Sequence, residues 1–189
     1  MGNRIIRPEG NTSEQTIEIS NIKELYSSDI INEKVKEIAN SIMSNYGSEE
    51  EIIIVCLLKG GFIFTADLVR EISRKIQVEF MVVSSYGNSL ESSGSIEIKQ
   101  DLNIDIRDKN VIIVDDIIDT GITLFEIKNY LSTQNPKKIE TCCLLDKQEG
   151  RQKEFSVDYV GFICPNKFVV GYGMDAYGNH RNLPFIGHV

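Results

Sequence analysis

VIIVDDIIDTGITL, residues 111–124, runs four branched apolar residues into two adjacent acids, adds a third acid, and then breaks at Thr-Gly-Ile-Thr. The apolar run has the composition of a buried strand, and the residues after Gly121 return to apolar spacing of helical period. A strand therefore delivers Asp115 and Asp116 to the carboxyl edge of a sheet, and Asp119-Thr120-Gly121-Ile122-Thr123 turns the chain into a helix. Gly121 permits a tight turn with close backbone approach, while Thr120 and Thr123 set hydroxyls beside the unpaired N–H groups of a helix start. An anion fits at that positive helix end, so the turn is a candidate phosphate cup. Like charges as close as Asp115 and Asp116 are tolerable when a divalent cation or a sugar diol shares them. A plain N-cap with solvated acids would account for Asp119 or Thr120 singly, but not for the whole constellation.

Outward from this stretch, further apolar runs lie at Ile52–Leu57, Val78–Val83, Ile139–Leu145 and Phe168–Val170. Segments of helical period separate them, at Ile30–Tyr46, Phe62–Ile76 and Ile122–Leu131, with repeats such as Val35, Ile38 and Ile42. Continuous apolar strands alternating with helices predict an α/β fold, doubly wound around a mainly parallel sheet. Ligands in such folds bind at the carboxyl ends of the strands. A second junction of this kind, LLKGGF at 57–62, offers Lys59 and a backbone freed by Gly60 and Gly61. On these residues alone an ordinary glycine-rich turn explains it. A third junction places Lys147 after the 139–145 run, and Lys167-Phe168-Val169 opens the last run. Taken in isolation, Phe168 is more often a core residue than a stacking platform.

The chain of 189 residues is 41% hydrophobic, enough for one domain with a substantial core. With 28 acids against 20 bases and a formal charge of −8, a broad nucleic-acid surface is disfavoured, although a small basic site for a phosphorylated metabolite is not. Cys56, Cys142, Cys143 and Cys164 sit among apolar neighbours without CxxC spacing, so core packing is expected rather than zinc or disulfides. No stretch approaches the roughly 18 apolar residues of a membrane span, and no signal-peptide core precedes the first strand, so a cytoplasmic location is expected. Asn11-Thr12-Ser13 matches a glycosylation acceptor outside a secretory context, and Ile6 stands where a myristoylation signal needs Ser or Thr. A Walker-type loop is absent. GYGMDA at 171–176 only formally resembles a dinucleotide fingerprint, since too little chain follows for the rest of that unit.

VIIVDDIIDTGIT closely resembles the phosphoribosyl pyrophosphate motif of the type I phosphoribosyltransferases. LLKGG resembles the pyrophosphate loop of the hypoxanthine-guanine members, and KFVVGYGMDAYGNHRNLPFIG resembles the purine-binding hood of their bacterial representatives. The likeness covers nearly all of the chain from about Ile5. It implies the type I phosphoribosyltransferase fold in a single domain over 1–189, with a core over about 20–164 and a C-terminal hood over about 165–189 joined by the N-terminal segment. It also implies a lid over about 84–98 that carries Ser85 and Tyr86.

The resemblance further implies transfer of the phosphoribosyl group from 5-phospho-α-D-ribosyl 1-pyrophosphate to N9 of hypoxanthine or guanine, with Mg2+ as cofactor. Residue by residue, it makes Asp119 the general base at purine N7. Asp115 and Asp116 become ligands of the ribose diol or of the metal's water shell, and residues 119–123 the 5'-phosphate cup. Lys59, Gly60 and Arg181 would meet pyrophosphate. Lys147, Lys167, Phe168, Val169 and Asp175 would form the purine site, with Asp175 also a metal ligand. A cis peptide between Leu58 and Lys59 is implied as well, as is assembly into a homodimer or homotetramer. Two departures stand out: Asp115 where the family often has Glu, and Ile122 where it often has a longer polar residue. His180 receives no role and is expected at the surface. Two other readings remain open at this level, a xanthine-preferring transferase and a regulatory protein of the same fold that binds nucleic acid. Retention of Asp119 and the acidic charge argue against the second.

Overall fold

The computed structural model describes residues 17–85 and 96–189. Its elements are β1 (Lys23–Tyr26), α1 (Ser28–Ser44), β2 (Ile52–Leu58), α2 (Phe62–Glu71), β3 (Ile76–Ser85), β4 (Ile96–Gln100), β5 (Asn110–Ile118), α3 (Ile122–Ser132), β6 (Lys138–Asp146), β7 (Tyr159–Ile163), β8 (Val169–Val170) and β9 (Ile186–His188). Six strands form the main sheet in the order β4-β3-β2-β5-β6-β7, in which β4 alone is antiparallel to its neighbour. The expected doubly wound α/β architecture is therefore present.

Alternation along the central strands explains why both sheet faces are covered, because successive side chains leave a strand on opposite sides. Ile52, Ile54, Ile112 and Val114 join α1 and α2 in one core through Val35, Ile38, Ile42, Phe64 and Leu68. Ile53, Val55, Val111 and Ile113 join α3 in the other through Leu124, Ile127 and Leu131. Each such buried aliphatic side chain contributes about 1.5–3 kcal/mol relative to exposure, so the central strands are the most firmly held part of the molecule. Helix α1 begins at an N-cap in which the Ser27 hydroxyl accepts the N–H of Ile30 at 3.4 Å.

Several boundaries differ from the sequence reading. Helix α2 ends at Glu71, and Ile76 opens β3 instead of closing the helix. Arg74 explains the break, for its guanidinium donates back to the carbonyls of Met43, Tyr46 and Gly47 at the end of α1, a long-range anchor with no local signature. The 168–170 run belongs to a separate antiparallel sheet, β1-β9-β8, and not to the parallel core. Tyr26 stacks on Phe162 with ring centroids 4.2 Å apart and donates to the carbonyl of Ile163, which ties the small sheet to the edge of the large one. Strand β5 runs past the apolar stretch to Ile118 and itself carries Asp115 and Asp116 to the carboxyl edge, as expected. Ser85 closes β3, while Tyr86 of the expected lid lies outside the described residues. The Leu58–Lys59 peptide is cis.

Candidate active site

Two adjoining cavities open at the carboxyl edge of β2, β5 and β6. The smaller, ≈ 110 Å³, is lined by Asp115, Asp119, Thr120, Gly121 and Thr123. The larger, ≈ 340 Å³, is lined by Gly60, Asp116, Lys147, Phe168, Asp175 and Arg181, with Lys167 and Val169 at its rim. Asp119 faces both.

The smaller cavity is shaped by the start of α3. Gly121 sits at φ 81°, ψ −9°, a left-handed conformation that costs glycine nothing. Thr120 Oγ1 accepts the N–H of Ile122 at 3.3 Å, and Ile122 opens the helix. Beyond that bond, the first-turn N–H groups have no partner within the helix, so the wall of this cavity is a row of donors suited to an anion.

Acids dominate the floor. Asp115 Oδ1 accepts the N–H of Asp116 at 3.0 Å, and Asp116 Oδ1 accepts that of Ile117 at 3.0 Å. Burial pushes the Asp115 carboxyl well above the usual carboxylate range, and the neighbouring Asp116 charge pushes it further. Burial also raises Asp116, against hydrogen bonding from Asp115 and the attraction of Arg181. A side chain at Gly60 would run into the Asp116 carboxylate, so the glycine turn and this acid occupy one another's space.

The remaining walls come from later in the chain. Lys147, whose N–H donates to the carbonyl of Ile118 at 2.9 Å, sets its ammonium 3.1 Å from Asp119 Oδ2. Phe168 is 54% exposed, which leaves its ring free to receive a flat ligand rather than packed in the core. Lys167 Nζ lies 3.0 Å from His188 Nε2. Asp175 accepts the Gly178 N–H at 2.7 Å and pairs with Arg181 at 2.5 Å, while Arg181 also donates to the carbonyl of Gly173 at 2.6 Å. A side chain at Gly173 would strike the carbonyl of Gly60, so the C-terminal turn rests directly on the glycine loop after β2. Lys59 is exposed on that loop, outside the lining of the larger cavity. His180 is half-buried, less exposed than expected, and sits in a turn at φ 71° where its carbonyl accepts the N–H of Leu183.

Sequence reasoning passed over Ile117 and Met174, which complete the larger cavity, and, beyond Lys147, the parts that Asp146, Gly150 and Arg151 play around it. Arg151 donates to the carbonyls of Asp119 and Phe155 and to the Asp146 carboxylate, and Gly150 lies against the Asp119 carboxylate. The only local signal was an arginine shortly after Lys147, and its partners are backbone carbonyls that a residue pattern does not announce.

Four carboxylates, Asp115, Asp116, Asp119 and Asp175, face the two cavities, and no group of three or more His, Cys, Asp or Glu among the described residues forms a cage by itself. Hard oxygen donors of this kind suit magnesium, which holds to one or two carboxylates, keeps several waters and takes its other ligands from substrate phosphates.

The family model described as a phosphoribosyl transferase domain matches residues 21–176. The hypoxanthine-guanine phosphoribosyltransferase of Aquifex aeolicus is 52% identical over 163 residues, covering 86% of this chain and 92% of that protein. The hypoxanthine phosphoribosyltransferase of Escherichia coli is 42% identical over 160 residues, covering 84% and 90%. A crystal structure of a hypoxanthine-guanine phosphoribosyltransferase from Bacillus anthracis superposes with a TM-score of 0.85 at 44% identity, covering 89% of this chain and 99% of the other. The sheet order, the cup after β5 and these matches place the chain in the phosphoribosyltransferase family, among the hypoxanthine and hypoxanthine-guanine members, with the type I fold.

Proposed function

We propose that the protein salvages purines by transferring the phosphoribosyl group of 5-phospho-α-D-ribosyl 1-pyrophosphate to N9 of hypoxanthine or guanine, forming inosine or guanosine monophosphate and pyrophosphate. The observation that carries this reading is the position of Asp119 between two cavities. One is small and donor-lined, of a size for a phosphate. The other is larger, with an exposed aromatic ring and an ammonium. A nucleotide laid across both puts its purine beside the Asp119 carboxylate. The names of the relatives favour hypoxanthine and guanine over xanthine, and a transferase over a regulator.

In this reading the purine stacks on Phe168 and Lys147 donates to its 6-oxo group, an ammonium offering three donors and no acceptor. The backbone of Val169 and Asp175 faces the C2 edge, and Lys167 closes the rim. Asp119 accepts the N7 proton as N9 forms its bond to C1 of the ribose. The C1–oxygen bond breaks at the same centre, and its electron pair leaves on pyrophosphate. Lys59, Gly60 and Arg181 receive the leaving group. Asp115 and Asp116 hold the ribose diol or the water shell of a cation, and residues 119–123 hold the 5'-phosphate. Magnesium, held by Asp175 and by the Asp115–Asp116 pair, would neutralise charge on the pyrophosphate when bound.

The small sheet with the 165–189 segment serves as the purine hood over the 20–164 core. The same reading takes the expected lid over about 84–98, of which residues 86–95 lie outside the described residues, to keep water from the cationic ribose centre. Exposed Phe62 and Phe80 supply apolar surface for assembly as a homodimer or homotetramer. A cytoplasmic location belongs to the same reading, and no helix among the described residues is long and apolar enough to cross a membrane. Incubation of the purified protein with the sugar pyrophosphate, magnesium and each 6-oxopurine tests the proposal. Formation of the two monophosphates is expected, and failure with both bases overturns it.

A further inference from the structure

We propose that Arg151 is a positioning residue that fixes the Asp119–Thr120 peptide, holding the base carboxylate on one side and aiming a phosphate donor on the other; the inference rests on the phosphoribosyl-transfer reading above. The guanidinium gathers three acceptors from three segments. Nε donates to the carbonyl of Asp119 at 3.2 Å, Nη1 to the carbonyl of Phe155 at 2.7 Å, and Nη2 to the carboxylate of Asp146. Asp146 is 8% exposed and pairs in register with Ile118 across β5 and β6, so its position is set by the main sheet. Gln148 donates to its other oxygen at 3.2 Å. Arg151 thus links a rigid strand end to the loop that carries the base, and a planar fork of donors suits that three-way span where a single ammonium does not.

The neighbouring backbone acts in the same direction. The N–H groups of Gln152 and Lys153 both donate to the carbonyl of Thr120, at 2.9 and 3.1 Å. In a planar trans peptide the carbonyl and the following N–H point in opposite directions. With the Asp119 carbonyl drawn to Arg151, the N–H of Thr120 faces away from it; with the Thr120 carbonyl drawn to residues 152–153, so does the N–H of Gly121. A charged donor on a carbonyl also polarises its peptide and strengthens the N–H at the other end. Gly121 carries the imprint of this arrangement, because a Cβ there would lie 2.9 Å from Arg151 Cδ. The arginine stem fills the place of the side chain that glycine lacks. Arg151 lines neither of the two site cavities, which separates it from the groups that would touch substrate.

Arg151→Lys keeps a cation for Asp146 and so protects the fold, while it releases at least one of the two carbonyls. Arg151→Ala removes the group entirely. For Arg151→Lys, turnover is expected to fall by about 10²-fold, the scale of a small misplacement of a catalytic group. Calorimetric affinity for ribose 5-phosphate, which needs no turnover, is expected to weaken by about tenfold, the scale of one hydrogen bond. Free guanidinium at non-denaturing concentration should partly restore Arg151→Ala, and sodium at equal ionic strength should not. Wild-type turnover and ribose 5-phosphate affinity in folded Arg151→Lys would overturn the proposal. So would an Arg151→Ala loss that follows the thermal midpoint alone and ignores guanidinium. If the unmodified protein forms no purine monophosphate while Arg151→Lys still weakens ribose 5-phosphate binding, the proposed reaction falls and the anchoring role of Arg151 stands.

Discussion

Asp119, the proposed base, is held on three sides without being sealed off. Lys147 contacts one carboxylate oxygen at 3.1 Å, Gly150 backs the other, and Arg151 holds the carbonyl, yet the side chain remains 45% exposed toward the cavities. Asp119→Asn keeps that shape but cannot accept the N7 proton. Turnover is expected to fall by about 10²–10⁴-fold. Affinity for the sugar pyrophosphate should change little, as read by single-turnover kinetics beside calorimetry, and near-wild-type turnover would remove Asp119 from the base role. The residues from Asp115 to Thr123 were legible in the sequence because the cup is contiguous and its chemistry depends on residue type. Arg151 was not, because it acts on carbonyl oxygens that any residue supplies.

At the level of elements, β2 and the first half of β5 are buried on both faces and read as unbroken apolar runs, while β3 and β6 were readable because only single acids, Glu79 and Glu140, interrupt otherwise apolar stretches. Strand β4, at one edge of the sheet, alternates with polar residues; β7, at the other edge, is a five-residue stretch interrupted by Gly161, and β8 and β9 are too short to show a period. The end of α2 was misread because apolar spacing continues through Ile72 and Ile76 with no glycine or proline between them. The short 3-10 turn Gln148–Gly150 was not read as an element, though Gly150 backs the Asp119 carboxylate. A Cβ at Gly150 would collide with the Asp119 carboxylate, whereas one at Gly47 would make an ordinary contact 3.6 Å from Glu50. Gly150→Ala is therefore expected to cut turnover by about 10²-fold, since small displacements of a catalytic group carry that cost. Gly47→Ala should stay near wild type, and equal turnover in the two variants would show that the turn does not position the base.

At the scale of the whole molecule, the buried thiols make stability fall at alkaline pH. Cys56, Cys142, Cys143 and Cys164 are buried and reduced, and burial raises the proton affinity of each thiol. Cys56 is pushed from 9.0 to about 11, and Tyr159, raised first by burial, to about 12. A thiol that is neutral in the fold but ionises near 9 when unfolded leaves stability intact below that pH. Above it the unfolded chain binds fewer protons than the folded one, so stability falls as pH rises through 9 toward the folded value near 11. Thermal midpoints measured between pH 7 and 11 should accordingly decline above about 9, and a flat profile would mean that the thiols are not buried. Over the same scale the doubly wound core, the small sheet and the two cavities converge on one claim, that the larger cavity is built for a 6-oxopurine. In the proposed reading Lys147 would present donors where adenine also presents a donor, and a mismatch of that kind discriminates by about 10⁴ or more. The most direct measurement is kcat/KM for hypoxanthine, guanine and adenine with saturating sugar pyrophosphate and magnesium. Hypoxanthine or guanine should exceed adenine by about 10⁴-fold, and adenine within about tenfold of both would contradict the account.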